Sequence, residues 1–283
     1  MMGKLLKYDL RAMSRAFIPM WILAPVIALL FSFSIRATIV WADRSVPGMA
    51  LFTAGNGILM AIMMILFIAA IMGLLIMTVV FVIQRFWNGL LKEEGYLMFT
   101  LPVKIWELIV SKALTATLIS CISAVVGVFS AMILAVCSTE EVIRSLAVAW
   151  KYVFSQIFEV GPVFWMNLVL FVIVMIVGMA GSIYHVYAAM AVGHLFQTHK
   201  VVGSCVSYIG FSLAVSILSS VVNTILEIIL PDRWNDYWIG SSGSLAGTLS
   251  MVYLLYLLLA GILQIIIYHV ITERLLATKL NLE

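Results

Sequence analysis

Six stretches of this chain are apolar enough, and long enough, to cross a bilayer. They cover residues 16–35, 58–83, 108–137, 164–190, 201–228 and 245–271, and each is filled with Leu, Ile, Val, Met and Phe. A hydrocarbon layer of about 30 Å, divided by about 1.5 Å of rise per residue, requires roughly 20 residues, which every run supplies. Polar and apolar positions do not alternate along them, and lipid cannot satisfy the open edges of a sheet, so the runs predict helices and not barrel strands. The expected fold class is therefore an all-α integral membrane protein. It has six transmembrane helices within a single transmembrane domain, residues 1–283. The first run is of full length and holds Pro19 and Pro25, which reads as a retained span and not as a cleavable signal peptide.

Two further segments carry a helical period with one polar face. Ahead of span one, Lys4, Lys7, Arg11 and Arg15 recur at steps of three and four, while Leu5, Leu6, Leu10, Met13 and Phe17 occupy the other face. Residues 1–15 are therefore expected to form an amphipathic elbow helix on the membrane surface. Its basic stripe meets lipid head groups and its apolar stripe meets the acyl boundary. Between spans three and four, Ser138 with Glu141 forms a capping box that opens a second such pattern. Glu140, Arg144, Lys151, Ser155 and Glu159 lie on its polar face, opposite Ile143, Leu146, Trp150, Val153 and Ile157. This predicts an outer amphipathic helix.

Charge then fixes the expected orientation. Lys4, Lys7, Arg11, Arg15, Arg85, Lys92, Lys104, Lys112, Lys200, Arg274 and Lys279 fall on one side, eleven of the sixteen basic residues. Arg36, Arg44, Arg144, Lys151 and Arg233 fall on the other. Short loops rich in Lys and Arg stay in the cytoplasm, so both termini and the loops after spans two and four are expected there, in a multi-pass protein of the cell membrane. Residues 36–56, 138–163 and 231–244 are then outside. The chain of 283 residues is 64% hydrophobic and 10% charged, with a mean hydropathy of +1.17, well outside the soluble globular range. A pI near 8.7 is accounted for by basic residues beside span ends, so no nucleic-acid partner is expected.

The sequence offers little for catalysis. It contains no G-x-x-x-x-G-K-[ST], HExxH, GxSxG or GxGxxG, so no catalytic residue, metal ligand or nucleotide loop is assigned to it. Cys121, Cys137 and Cys205 form no CxxC pair and read as small packing residues. Ionisable residues within spans are the default functional candidates; here they are His185 in span four, Glu227 near the outer end of span five and His269 in span six. All three are close enough to an interface to meet water. Gly178 and Ser182, Ala189 and Gly193, then Gly203, Ser207 and Gly210 give spans four and five the small surfaces of close helix contact, within the chain or across a dimer.

The most distinctive stretch is the loop at 84–105. Helix two is expected to continue past the membrane to Glu94 and stop at Gly95, and Pro102 forces a bend before the next helix starts near Lys104. Tyr96 to Leu101 is left as a short apolar segment between charges. Such a patch suits either docking of a protein partner or burial against the bundle or the lipid interface.

At this loop the sequence resembles the membrane subunits of ATP-binding-cassette exporters of the type-2 permease family, the small bacterial ones in particular. The residues carrying the resemblance are Glu94-Gly95-Tyr96-Leu97-Met98-Phe99-Thr100-Leu101-Pro102, followed by Ser111-Lys112-Ala113. The resemblance implies that the N-terminal piece is an elbow helix and that the loop after span two carries a coupling helix docking on an ATPase. Glu93, Glu94, Gly95, Tyr96, Met98, Phe99, Thr100, Leu101 and Pro102 would then form the docking site. It further implies two permeases, identical or homologous, with two ABC ATPase subunits that hold the ATP and Mg, this chain having no cofactor of its own. The expected function is the permease subunit of an exporter, not itself an enzyme, that moves an amphiphile such as a peptide, lipid or drug. An ATP-independent carrier or channel is the alternative; such proteins show inverted repeats, broken helices or polar residues at midplane. A membrane enzyme would need His, Asp, Glu or Cys clustered at one depth.

Overall fold

The computed structural model describes residues 2–42, 50–91, 104–138, 162–196, 199–229 and 244–278, with the isolated positions 144, 148 and 151. Its elements are α1 (Met2–Ala42), α2 (Ala50–Phe86), a π-helical turn (Trp87–Leu91), α3 (Ile105–Ser138), α4 (Pro162–Gly193), α5 (Lys200–Ile229) and α6 (Ser244–Thr278). No strand occurs among the described residues. Each α-helix contains a window apolar and long enough to cross a membrane, giving six candidate spans among the described residues. The large apolar side chains exposed along them, such as Phe33, Ile65, Phe171 and Ile217, face outward where lipid replaces water as the contacting solvent.

Local sequence sets the helix ends. α4 opens on Pro162 and closes on Gly193, a proline where the backbone amide is spare and a glycine at the stop. At α3 the Lys104 carbonyl accepts from the amides of Glu107 at 3.0 Å and Leu108 at 3.4 Å. Glu107 in that first turn complements the positive end of the helix dipole. Several hydroxyls inside the spans are satisfied by their own helix. Thr78 donates to the Leu74 carbonyl, Thr115 to Ser111, Thr117 to Ala113 and Thr272 to Tyr268, at 2.7–2.8 Å. These side chains therefore impose no unsatisfied polar group on the membrane interior.

The residues expected to form an elbow and those of span one lie in a single unbroken helix. α1 has 41 residues, about 60 Å at the α-helical rise and twice the hydrocarbon thickness. The sequence has no glycine between Gly3 and Gly48 to stop the helix near residue 15, and Pro19 and Pro25 are carried inside it. Lys7, Arg11 and Arg15 are exposed while Met13 and Phe17 are buried, the two faces that the spacing predicts. Lys4 is helical. Of the outer amphipathic segment, Arg144, Val148 and Lys151 are helical and exposed; the rest of that prediction lies outside the described residues.

The chain divides into two compact units. One comprises Met1–Leu6, Val82–Thr117 and Val160–Glu283, the other Lys7–Phe81 and Leu118–Glu159. The chain passes from one to the other within α1, within α2 and within α3. In the second unit Phe17 is fully buried with its ring 5.2 Å from that of Phe81 and 5.8 Å from that of Trp21. Trp21 Nε1 donates to Ser123 Oγ at 3.1 Å, joining α1 to α3. In the first unit α4 packs against both α5 and α6.

Candidate functional site: the base of the loop between α2 and α3

The residues expected to dock a partner, Glu93 to Pro102, lie outside the described residues, but both flanks of that loop are described. On the near flank, α2 gives way at Phe86 to the π-helical turn Trp87–Leu91. Phe86 and Leu90 are fully buried. The Phe86 ring stacks on Tyr187 of α4 at 4.1 Å between centroids and 19° between planes. Trp87 lies 5.9 Å from the ring of His194, just past the end of α4. On the far flank Leu108, Ile109, Ala113 and Ala116 of α3 enter the same core. α4 contributes Ile183, Tyr184, Tyr187, Ala188 and Met190 to it, and α6 contributes Tyr268 and Leu276. Both ends of the loop are thus fixed in one close-packed cluster. Single-residue volume changes are felt in such packing.

The polar residues in this cluster are those that sequence reasoning placed elsewhere or passed over. Lys112, counted among the cytoplasmic charges, is only 2% exposed and sits between the buried Ser111 and Ala113. Its ammonium lies against Gly89 of the π-helical turn, where a Cβ would stand 2.5 Å from Nζ. Tyr187 is fully buried, and its hydroxyl has no hydrogen-bond partner among the described residues. Tyr184 bridges to it at 6.2 Å and to the His269 ring at 5.6 Å. A glycine just beyond span two and tyrosines spaced 184, 187 were the only sequence signals for this packing.

The structure also shows what surrounds the two span histidines. His185 is 8% exposed, and its Nε2 lies 3.2 Å from the Tyr208 carbonyl and 3.3 Å from Ser212 Oγ. A carbonyl only accepts, so this geometry places a hydrogen on Nε2, shared with the serine oxygen. The rings of Tyr208, Tyr268 and Phe211 surround it at 4.6, 5.0 and 6.1 Å. His185 therefore ties α4 to α5 and α6. His269 Nε2 stands 3.8 Å from Glu273 Oε2 in an i,i+4 pair, with the glutamate 40% exposed; such a pair is worth little. The side chain of Glu227 lies outside the described residues.

Of the small residues, Gly193 and Gly203 make the α4–α5 seam. A Cβ on Gly193 would collide with the Ser204 backbone, and one on Gly203 with the Phe196 ring. Among the described residues nothing lies within 4 Å of the Cβ positions of Gly178 and Gly210, so these two take no part in the described seam. Among the described residues no three His, Cys, Asp or Glu side chains converge as a metal site would need.

No family model, curated protein or solved structure matches this chain.

Proposed function

We propose that this chain is the permease subunit of an ATP-binding-cassette exporter, carrying an amphiphilic peptide, lipid or drug across the cell membrane while a separate ATPase chain hydrolyses ATP. The observation that supports it is the attachment of the loop bearing the Glu94–Pro102 motif. Its two flanks are buried in one cluster, closed by the Phe86–Tyr187 stack, and a coupling element needs such a base. A docking segment on a loose tether would absorb the motion of its partner instead of transmitting it.

In this reading both termini and the loop face the cytoplasm, the basic face of residues 4–15 meets anionic lipid, and Tyr96, Met98, Phe99 and Leu101 are the apolar anchors on the ATPase. Glu93 and Glu94 form its charged rim. A second permease completes the path, and ATP and Mg are held by the ATPase alone. Affinity isolation of the tagged chain from its native membrane is the test. An ATPase with a Walker A loop is expected in the eluate, and a stable, intact chain that elutes without one would overturn the reading.

A further inference from the structure

We propose that Lys112 is a positioning residue that pins the turn entering the docking loop onto α3, so that displacement of the loop reaches the membrane helix through its ammonium. The functional half of this rests on the permease reading; the contact itself does not.

Gly89 is buried within the π-helical turn Trp87–Leu91, and Lys112 is 2% exposed on the second turn of α3. A Cβ at Gly89 would stand 2.5 Å from Lys112 Nζ and 3.1 Å from Cε. The end of the lysine therefore fills the space that any other residue at 89 would claim for its own side chain. The terminus of an exposed lysine could swing aside. Here Leu108, Ile109, Ala113 and Ala116 flank its helix position, and Phe86 and Leu90 flank the glycine, all buried in the same core.

An ammonium in such surroundings is strongly unfavourable unless it is partnered, and Lys112 does have a polar or electrostatic partner. The π-helical turn adds a reason for a cation here. Spacing of i to i+5 interrupts the α-helical ladder, so a carbonyl at the transition loses its usual amide. An ammonium has three hydrogens to donate, and a residue without a Cβ lets it reach the backbone. Gly89 precedes the loop and Lys112 follows it, so one side chain joins the two strands of chain between which the loop is slung. α3 then continues to Ser138, through its candidate span.

Hydrogen exchange followed by mass spectrometry tests both halves, using Gly89→Ala, Lys112→Met, Lys112→Ala and the Gly89→Ala/Lys112→Ala double variant. In the purified chain, Gly89→Ala and Lys112→Met are each expected to speed exchange of the amides of Trp87–Leu91 about tenfold or more. The double variant should exchange no faster than Lys112→Ala, because the added methyl then has nothing to displace. In the complex, ATP with vanadate is expected to alter exchange along α3, and Lys112→Met is expected to lose that change while still retaining the ATPase. Unchanged exchange at Trp87–Leu91, or effects of the two sites that simply add, would overturn the contact. A nucleotide-driven change in α3 that survives Lys112→Met would overturn the positioning role. If Lys112→Ala does not insert, Gly89→Ala decides the contact alone. If no ATPase accompanies the wild-type chain, the permease reading fails, while exchange in the isolated chain still decides the contact.

Discussion

Phe86→Ala is expected to be among the most damaging single substitutions outside the lipid-facing surface. The ring is fully buried and stacked on Tyr187 at 4.1 Å, with Leu90 and Leu108 in the same cluster. Truncation to Ala opens a cavity of about 100 Å³, which at about 24 cal/mol per Å³ costs about 2.4 kcal/mol. Loss of the aromatic pair adds about 0.5–1.5 kcal/mol. The total is about 3–4 kcal/mol, within the range of about 3–5 kcal/mol for buried Phe→Ala. Phe86→Leu keeps most of the volume and is expected to cost under about 1.5 kcal/mol. Phe33→Ala, at a side chain 73% exposed on α1, leaves no cavity and is the control. Equilibrium unfolding of the purified chain in mixed micelles, followed by tryptophan fluorescence, ranks the three. If Phe86→Ala lies within about 0.5 kcal/mol of wild type, as surface changes do, the base of the loop is not the rigid cluster on which the functional reading depends.

Topology is tested by a cysteine at Ser45, expected to react with an impermeant thiol reagent from outside intact cells; labelling from the cytoplasmic side alone contradicts the orientation. Replacing Lys4, Lys7, Arg11 and Arg15 by Glu removes attractions of about 1 kcal/mol each to an anionic leaflet, so membrane-integrated yield is expected to fall, and an unchanged yield would refute the surface role of that face. Gly193→Val places a branched side chain against the Ser204 backbone; it is expected to cost about 1–3 kcal/mol or more through overpacking, read as a lowered thermal midpoint, whereas Gly178→Val, with nothing within 4 Å, is expected to leave it unchanged.

The spans were legible because hydropathy reports the solvent directly. It reports the lipid layer, however, and not the end of a helix. Residues 272–278 carry Glu273 and Arg274 yet continue α6 to Thr278, since leaving the membrane does not by itself break helical hydrogen bonds. The same logic hid the continuity of α1, where a change of face at residue 15 looked like a boundary although nothing there stops a helix. Asp9 escaped notice altogether. It falls at the i−4 position to Met13 and i−8 to Phe17 on the buried face, a place where the apolar pattern alone leaves no room for a carboxylate.

At the site, the order of the loop along the chain could be read, but its anchoring could not. No residue pattern encodes a π-helical turn, and Gly89 alone does not announce one. Lys112 counts as one more positive charge beside a span until the structure puts it in a core. Phe86 and Tyr187 lie about one hundred positions apart, and no periodicity within either helix predicts their stacking. Glu93 to Pro102, proposed as the docking segment, lie outside the described residues and stay as the sequence alone reads them.

The measurement that bears most directly on the account is the affinity of the ATPase that the proposed function expects for the Phe99→Ala and Glu93→Ala chains, both reconstituted in lipid. Phe99 as an anchor predicts a loss of about 2 kcal/mol or more, roughly thirtyfold in affinity. Glu93 on the rim predicts about 1 kcal/mol or less, with both proteins inserting normally. Wild-type affinity for Phe99→Ala would place the docking surface elsewhere and remove the central claim.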